Sequence, residues 1–148
     1  MGDKQLAAFE STVAKTNSVL KEIERSRGWT AGSRRRSYAA LRAVLHALRD
    51  RLTVSEAAHL AAQLPMLVRG VFYEGWDPSR APVKMRRAEF LDRVRRELPA
   101  TDDLTDLADE HVERVVVAVL TALRRYITDG EWHDIRSTMP RELAAIMP

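Results

Sequence analysis

The residue pair with the most recognisable chemistry is Glu56 and His59, in the run Glu56-Ala57-Ala58-His59. Glu-x-x-His spacing sets a carboxylate and an imidazole on one helical face, as the ligands of di-iron bundles are set. Such a site needs the motif twice and further inward carboxylates. Here it stands once: the related stretch reads Glu131-Trp132-His133-Asp134, with Asp134 in the place of His59. A local role accounts for both glutamates better. Thr53-Val54-Ser55-Glu56 and Thr128-Asp129-Gly130-Glu131 read as capping boxes, the Thr hydroxyl accepting from the backbone N–H three residues on while Glu reaches back. The four histidines, His46, His59, His111 and His133, share no spacing. There is no serine in a nucleophile turn and no glycine-rich phosphate loop. Zero cysteines exclude disulfides, thiolate metal sites and cysteine nucleophiles, and fit a cytoplasmic chain. The sequence therefore predicts no catalytic residue, no metal ligand set and no cofactor.

Charge and aromatic content point instead to surfaces. Of 24 basic residues most are Arg, and the net charge is +3. Arg25 to Arg51 carries eight Arg and one acid, Arg80 to Arg96 seven bases and two acids, and Asp102 to Glu113 six acids and no base. Arg34, Arg35 and Arg36 stand together before a helix, where positive charge opposes the helix dipole. The expectation is an exposed patch that pairs with the acids Asp102 to Glu110 or with an external anion. Arg86 and Arg87 offer a second basic point. Val71-Phe72-Tyr73-Glu74-Gly75-Trp76 concentrates aromatics, so Tyr73 and Trp76 either anchor a partner or plug a junction in the core.

The elements that must carry these residues are helices. Apolar residues recur every three or four positions throughout, and no alternating strand pattern occurs. Leu6, Phe9, Val13, Thr16, Leu20 and Ile23 predict a first helix buried along that stripe and stopped at Gly28. The Thr16 hydroxyl is expected to bond the carbonyl one turn back. Tyr38, Leu41, Val44, Leu45, Leu48 and Leu52 predict a second. Its counterpart, Val112 to Ile127, has a wider apolar stripe through Val117 and is expected to be the more buried.

The chain also repeats itself. A shift of 75 residues pairs Ala43-Val44-Leu45-His46-Ala47-Leu48-Arg49 with Ala118-Val119-Leu120-Thr121-Ala122-Leu123-Arg124, and Leu64-Pro65 with Met139-Pro140. Phe9 and Val13 match Phe90 and Val94 at a shift of 81, so the first copy is expected to hold six extra residues around Arg34 to Arg36. The fold class is all-α: a single domain over 1–148, with two helical repeats of roughly four helices, 3–76 and 84–148, joined by a Pro-containing connector 77–83 and packed about a pseudo-twofold axis. Each repeat alone is marginal in size.

The runs Arg42 to Leu52, Glu56-Ala57, Leu60 to Pro65, Tyr73-Glu74-Gly75-Trp76, Gly130-Glu131 and Met139-Pro140 resemble the bacterial domain-of-unknown-function family numbered 2267. The resemblance runs nearly end to end and implies a small, duplicated, all-helical domain with no established reaction. Where an aromatic is expected near Thr16-Asn17 this chain has Ser18-Val19, and its end, Ile146-Met147-Pro148, departs from the usual aromatic.

Two functions fit. The first is a non-enzymatic helical interaction module that binds another protein or a second copy of itself, using Arg34, Arg35, Arg36, Tyr73, Trp76, Arg86 and Arg87. The second is a binder of nucleic acid or another anionic surface through its Arg-rich segments. No apolar run is long enough to span a membrane, and the start, Met1 to Leu6, does not read as a signal peptide.

Overall fold

The computed structural model describes residues 6–30, 32–99 and 108–148. Among them the chain forms α1 (Ala7–Arg27), α2 (Arg34–Arg51), α3 (Val54–Gln63), α4 (Met66–Tyr73), α5 (Arg87–Glu97), α6 (Asp109–Leu123), α7 (Asp129–Ser137) and α8 (Arg141–Ala144). Single 3-10 turns lie at Pro78–Arg80 and Arg124–Tyr126. No strand occurs among the described residues.

The helix ends follow local chemistry. α1 stops at Gly28, whose φ of 67° is open to glycine without strain, and the N–H groups of Gly28 and Trp29 return to the Arg25 and Glu24 carbonyls. α3, α5 and α7 stop just ahead of Pro65, Pro99 and Pro140, which push the residue before them out of the helical region. α3 starts with the full capping box: the Thr53 hydroxyl accepts from Glu56 N–H at 3.1 Å, and the Glu56 carboxylate accepts from Thr53 N–H at 2.9 Å. α7 has only half of the expected box. Thr128 Oγ1 accepts from Glu131 N–H, but Thr128 N–H is taken by Gln63 Oε1 at 2.8 Å, so a side chain of α3 displaces the glutamate.

Helix α2 is the centre, packed against α1, α4, α5 and α6. Ten of its residues are buried against eight in α6, so the wider stripe of α6 does not make it the more buried helix. The reason is position: Val117 of α6 faces an open groove, whereas α2 is covered on several sides. Leu45, Leu48 and Leu52, and likewise Leu120, Leu123 and Ile127, are all buried. α1 packs on α6 and α2 on α5. Both pairs run antiparallel: Arg27 and Ser18 of α1 meet His111 and Arg125, while Arg51 and His46 of α2 meet Met85 and Glu97.

Two expectations are corrected here. Leu6, Phe9 and Val13 are exposed, and α1 is buried only through Thr16, Val19, Leu20, Ile23 and Glu24. Its first turns run past the core, with Thr16 Oγ bonded back to the Thr12 carbonyl at 2.8 Å. Val19, Leu20 and Ile23 have the same spacing as the buried Phe90, Leu91 and Val94 of α5, whereas Phe9 and Val13 are exposed. The second is the insertion. Arg34 to Arg36 form the first turn of α2, and six residues, 28–33, separate α1 from α2 against eleven, 98–108, between α5 and α6. The longer interval belongs to the second half.

Candidate functional site

A helix that presents one apolar stripe to a core does not ordinarily bury a histidine and an arginine on it, yet α2 buries His46 and Arg49, 2% and 3% exposed. His46 is bonded through both ring nitrogens, and Arg49 through its Nε and Nη1. His46 Nε2 lies 2.7 Å from the Val71 carbonyl, which can only accept, so Nε2 carries hydrogen; Nδ1 faces the Glu97 carboxylate at 2.9 Å. Glu97 accepts from Arg93 Nη1 at 3.0 Å, and Arg93 reaches Asp50 through Nε at 3.2 Å. Asp50 in turn accepts from Arg49 Nε at 3.0 Å. Arg49 Nη1 donates to the Phe72 and Glu74 carbonyls at 3.1 and 2.8 Å.

One continuous network, His46–Glu97–Arg93–Asp50–Arg49, therefore closes the seam between α2 and α5 and caps the carbonyls at the end of α4. Burial of such charges is tolerable because every one meets an opposite charge or a carbonyl. Its outer member is the Arg42–Glu74 pair at 3.2 Å, which holds the Glu74 carboxyl below its usual range.

Beside this seam lies a cavity of about 210 Å³, lined by Arg49, Asp50, Arg93, Trp76 and Arg80. Gly75, with φ of 74°, turns the chain from α4 so that Trp76 comes back onto the core. Tyr73 and Trp76 are half-buried and pack with ring centroids 5.4 Å apart. The Trp76 Nε1–H is buried and has no partner among the described residues. Asp77 Oδ1 accepts from both Ser79 N–H and Ser79 Oγ, which keeps its carboxyl below the usual range.

The structure does not gather the other sequence-selected residues into this site. Arg34 is half-buried and pairs with Glu24 at 2.8 Å, and Arg36 lies over the Trp29 ring at 4.3 Å from its centroid. The C-terminal turn of α1 thus holds two of the three arginines of the expected patch, leaving Arg35 exposed. Asp102, Asp103 and Asp106 of the acidic run lie outside the described residues. The acids of that run that are described turn to α5: Asp109 pairs with Arg95 and Glu113 with Arg87. Arg86 is exposed at the start of α5. Among the described residues no group of three or more His, Asp or Glu is placed to hold a metal ion.

Sequence reasoning missed His46, Arg49 and Arg93. Their signal was present: His46 and Arg49 sit three apart among Ala43, Ala47 and Leu48, inside the run that repeats.

The family is decided by a match over residues 16–146 to the family described as Uncharacterized conserved protein (DUF2267). The chain belongs to DUF2267. No curated protein matches it. The match spans the whole seam and its cavity and begins at the buried Thr16, so the exposed first turns of α1 precede the DUF2267 match. No described helix of this DUF2267 chain is long and apolar enough to cross a membrane.

Proposed function

We propose that this protein is a non-enzymatic interaction module made of two related four-helix units, and that it associates with a second copy of itself through the exposed face of α1. Three observations support the duplication. The starts of α2 and α6, of α3 and α7, and of α4 and α8 are each 75 residues apart. The Asp50–Arg93 pair across α2 and α5 recurs with its signs exchanged as Arg125–Glu22 across α6 and α1, at 3.6 Å. Arg69 of α4 donates to the Ala61 carbonyl of α3, while Arg136 of α7, which stands 75 places after Ala61, donates to the Ala144 carbonyl, 75 places after Arg69.

The observation that carries the interaction reading is the face formed by Leu6, Phe9 and Val13 with Met66 and Leu67 of α4, each more than two-fifths exposed. Leu67 N–H donates to Thr12 Oγ1 at 2.9 Å, which holds the start of α4 against α1 and makes the face continuous. Clustered exposed apolar side chains of this kind mark docking surfaces. Glu10 and Lys15 flank the face with opposite charge, so an antiparallel pairing of two α1 helices sets unlike charges near each other. Arg34 and Arg36, engaged within the chain, lend the nucleic-acid reading little support.

Sedimentation velocity over a concentration series tests the proposal. A concentration-dependent dimer is expected for the wild type and a monomer for Phe9→Glu, with unchanged melting because Phe9 is outside the core. A wild type that stays monomeric, or a Phe9→Glu chain that still dimerises, refutes it.

A further inference from the structure

We infer that the cavity between the end of α2, the Trp76 turn and α5 is a binding site for a small oxyanion, a phosphoryl or carboxylate group. The argument is an inventory of donors. Arg49 is almost wholly buried, and its Nε and Nη1 are spent on Asp50 and on the Phe72 and Glu74 carbonyls. Its Nη2, with two hydrogens, makes no hydrogen bond among the described residues and, unlike the Trp76 indole N–H, is not sealed from solvent, so it stands open to an entering ligand. Trp76 lines the same cavity and its buried Nε1–H is also unmet. An indole N–H can only donate, and so can a guanidinium. An open guanidinium donor on the cavity wall, beside a residue whose indole N–H is unmet, favours an acceptor there.

The acids of the cavity do not fill that role. Asp50 accepts from Arg49 and Arg93, and Asp77 turns its Oδ1 to Ser79. Arg80, 84% exposed and only loosely paired with Asp77 at 3.5 Å, stands at the rim as a third cation free to swing toward an entering anion. The arginines lining the cavity thus outnumber its acids, three to two. A planar guanidinium suits a carboxylate or phosphate better than it suits a halide, since it matches two oxygens at once. About 210 Å³ admits an anion of the size of phosphate with a short substituent, but is smaller than the cavities that enclose drug-sized ligands. The rigidity of the site comes from the network behind it: Arg49 is locked by Asp50, Asp50 by Arg93, and Arg93 by Glu97.

The test is a titration of the full chain, ¹⁵N-labelled, with inorganic phosphate and separately with acetate, against chloride at matched ionic strength. The Trp76 indole resonance, assigned by its loss in Trp76→Phe, is expected to move saturably, half-saturating below about 1 mM, while those of Trp29 and Trp132 stay still. Movement with phosphate alone identifies a phosphoryl ligand; movement with both identifies oxyanions in general. Arg80→Glu, a rim change on an exposed residue, is expected to weaken binding about tenfold without altering the melting temperature. Absence of a saturable shift with either anion, an equal shift in chloride, or indifference to Arg80→Glu overturns the assignment.

Discussion

The seam between α2 and α5 and the seam between α1 and α6 are both antiparallel helix pairs, yet they are closed by different means. Across the first, His46 meets Glu97 and the helices are joined by a chain of bonded polar groups. Across the second, Thr121 and Ser26, which the proposed duplication sets in the places of His46 and Glu97, share no hydrogen bond and line a groove of about 490 Å³ with Val117 and Ala118. The ion pair beyond them survives in both seams with its signs exchanged, at 3.1 Å in one and 3.6 Å in the other. The lesson is that two antiparallel helix pairs can be held by different chemistry, because what the packing demands is complementarity at each place and not a particular residue.

Perturbations can be ranked by how hard they press on this comparison. α2 and α6 each bury a leucine stripe in the core, so Leu48→Ala and Leu123→Ala should each destabilise by about 2–5 kcal/mol, measured by urea unfolding. A cost at only one of the two would count against the proposed duplication. Next comes the part that differs. Glu97→Ala strands His46 Nδ1 and leaves Arg93 with Asp50 alone, and should cost about 1–3 kcal/mol, whereas Ser26→Ala across the other seam should stay within about 0.5 kcal/mol.

The caps follow. Thr53→Ala and Thr128→Ala should each cost about 1 kcal/mol in thermal melts. Gln63→Ala should weaken α7 and leave α3 intact, since Gln63 bonds Thr128 and not Thr53.

The smallest effect is a pH dependence. Burial holds the Glu131 carboxyl above its usual range, with Asp134 and Glu56 adding to the rise and His59 opposing it. The folded chain therefore binds this proton more tightly than the unfolded chain. The contribution is fully present below the ordinary glutamate range and is lost as pH rises through the elevated value. Glu131→Gln should flatten that loss, so that the variant gains stability relative to wild type as pH rises from 4 to 7, about a fraction of 1 kcal/mol in sign-matched melts.

Much of this fold was legible in the residues. The stripes of α2 and α6, apart from Tyr38, which is exposed, and the Thr53 cap and Gly28 stop rest on local rules that tertiary context did not override. The repeat of Ala43 to Arg49 in Ala118 to Arg124 marked the two most buried helices correctly. What failed depended on where a helix lies relative to its neighbours. Periodicity made Leu6, Phe9 and Val13 look like core because an amphipathic face is the same in sequence whether or not anything covers it. The arginines of α2 looked free because Glu24 and Trp29, which engage Arg34 and Arg36, lie on a preceding helix and loop. The His46–Arg49 network was hidden for the opposite reason: its partners Glu97 and Arg93 are some fifty residues away, and only the antiparallel docking of α5 brings them in.

A pair of double-mutant cycles tests the contrast between the seams most directly. One removes His46 and Glu97 singly and together; the other removes Thr121 and Ser26 in the same way, all read by equilibrium unfolding. The account predicts a coupling of about 1–3 kcal/mol between His46 and Glu97 and none beyond about 0.5 kcal/mol between Thr121 and Ser26. Equal coupling across the two seams, or none at His46 and Glu97, would contradict it.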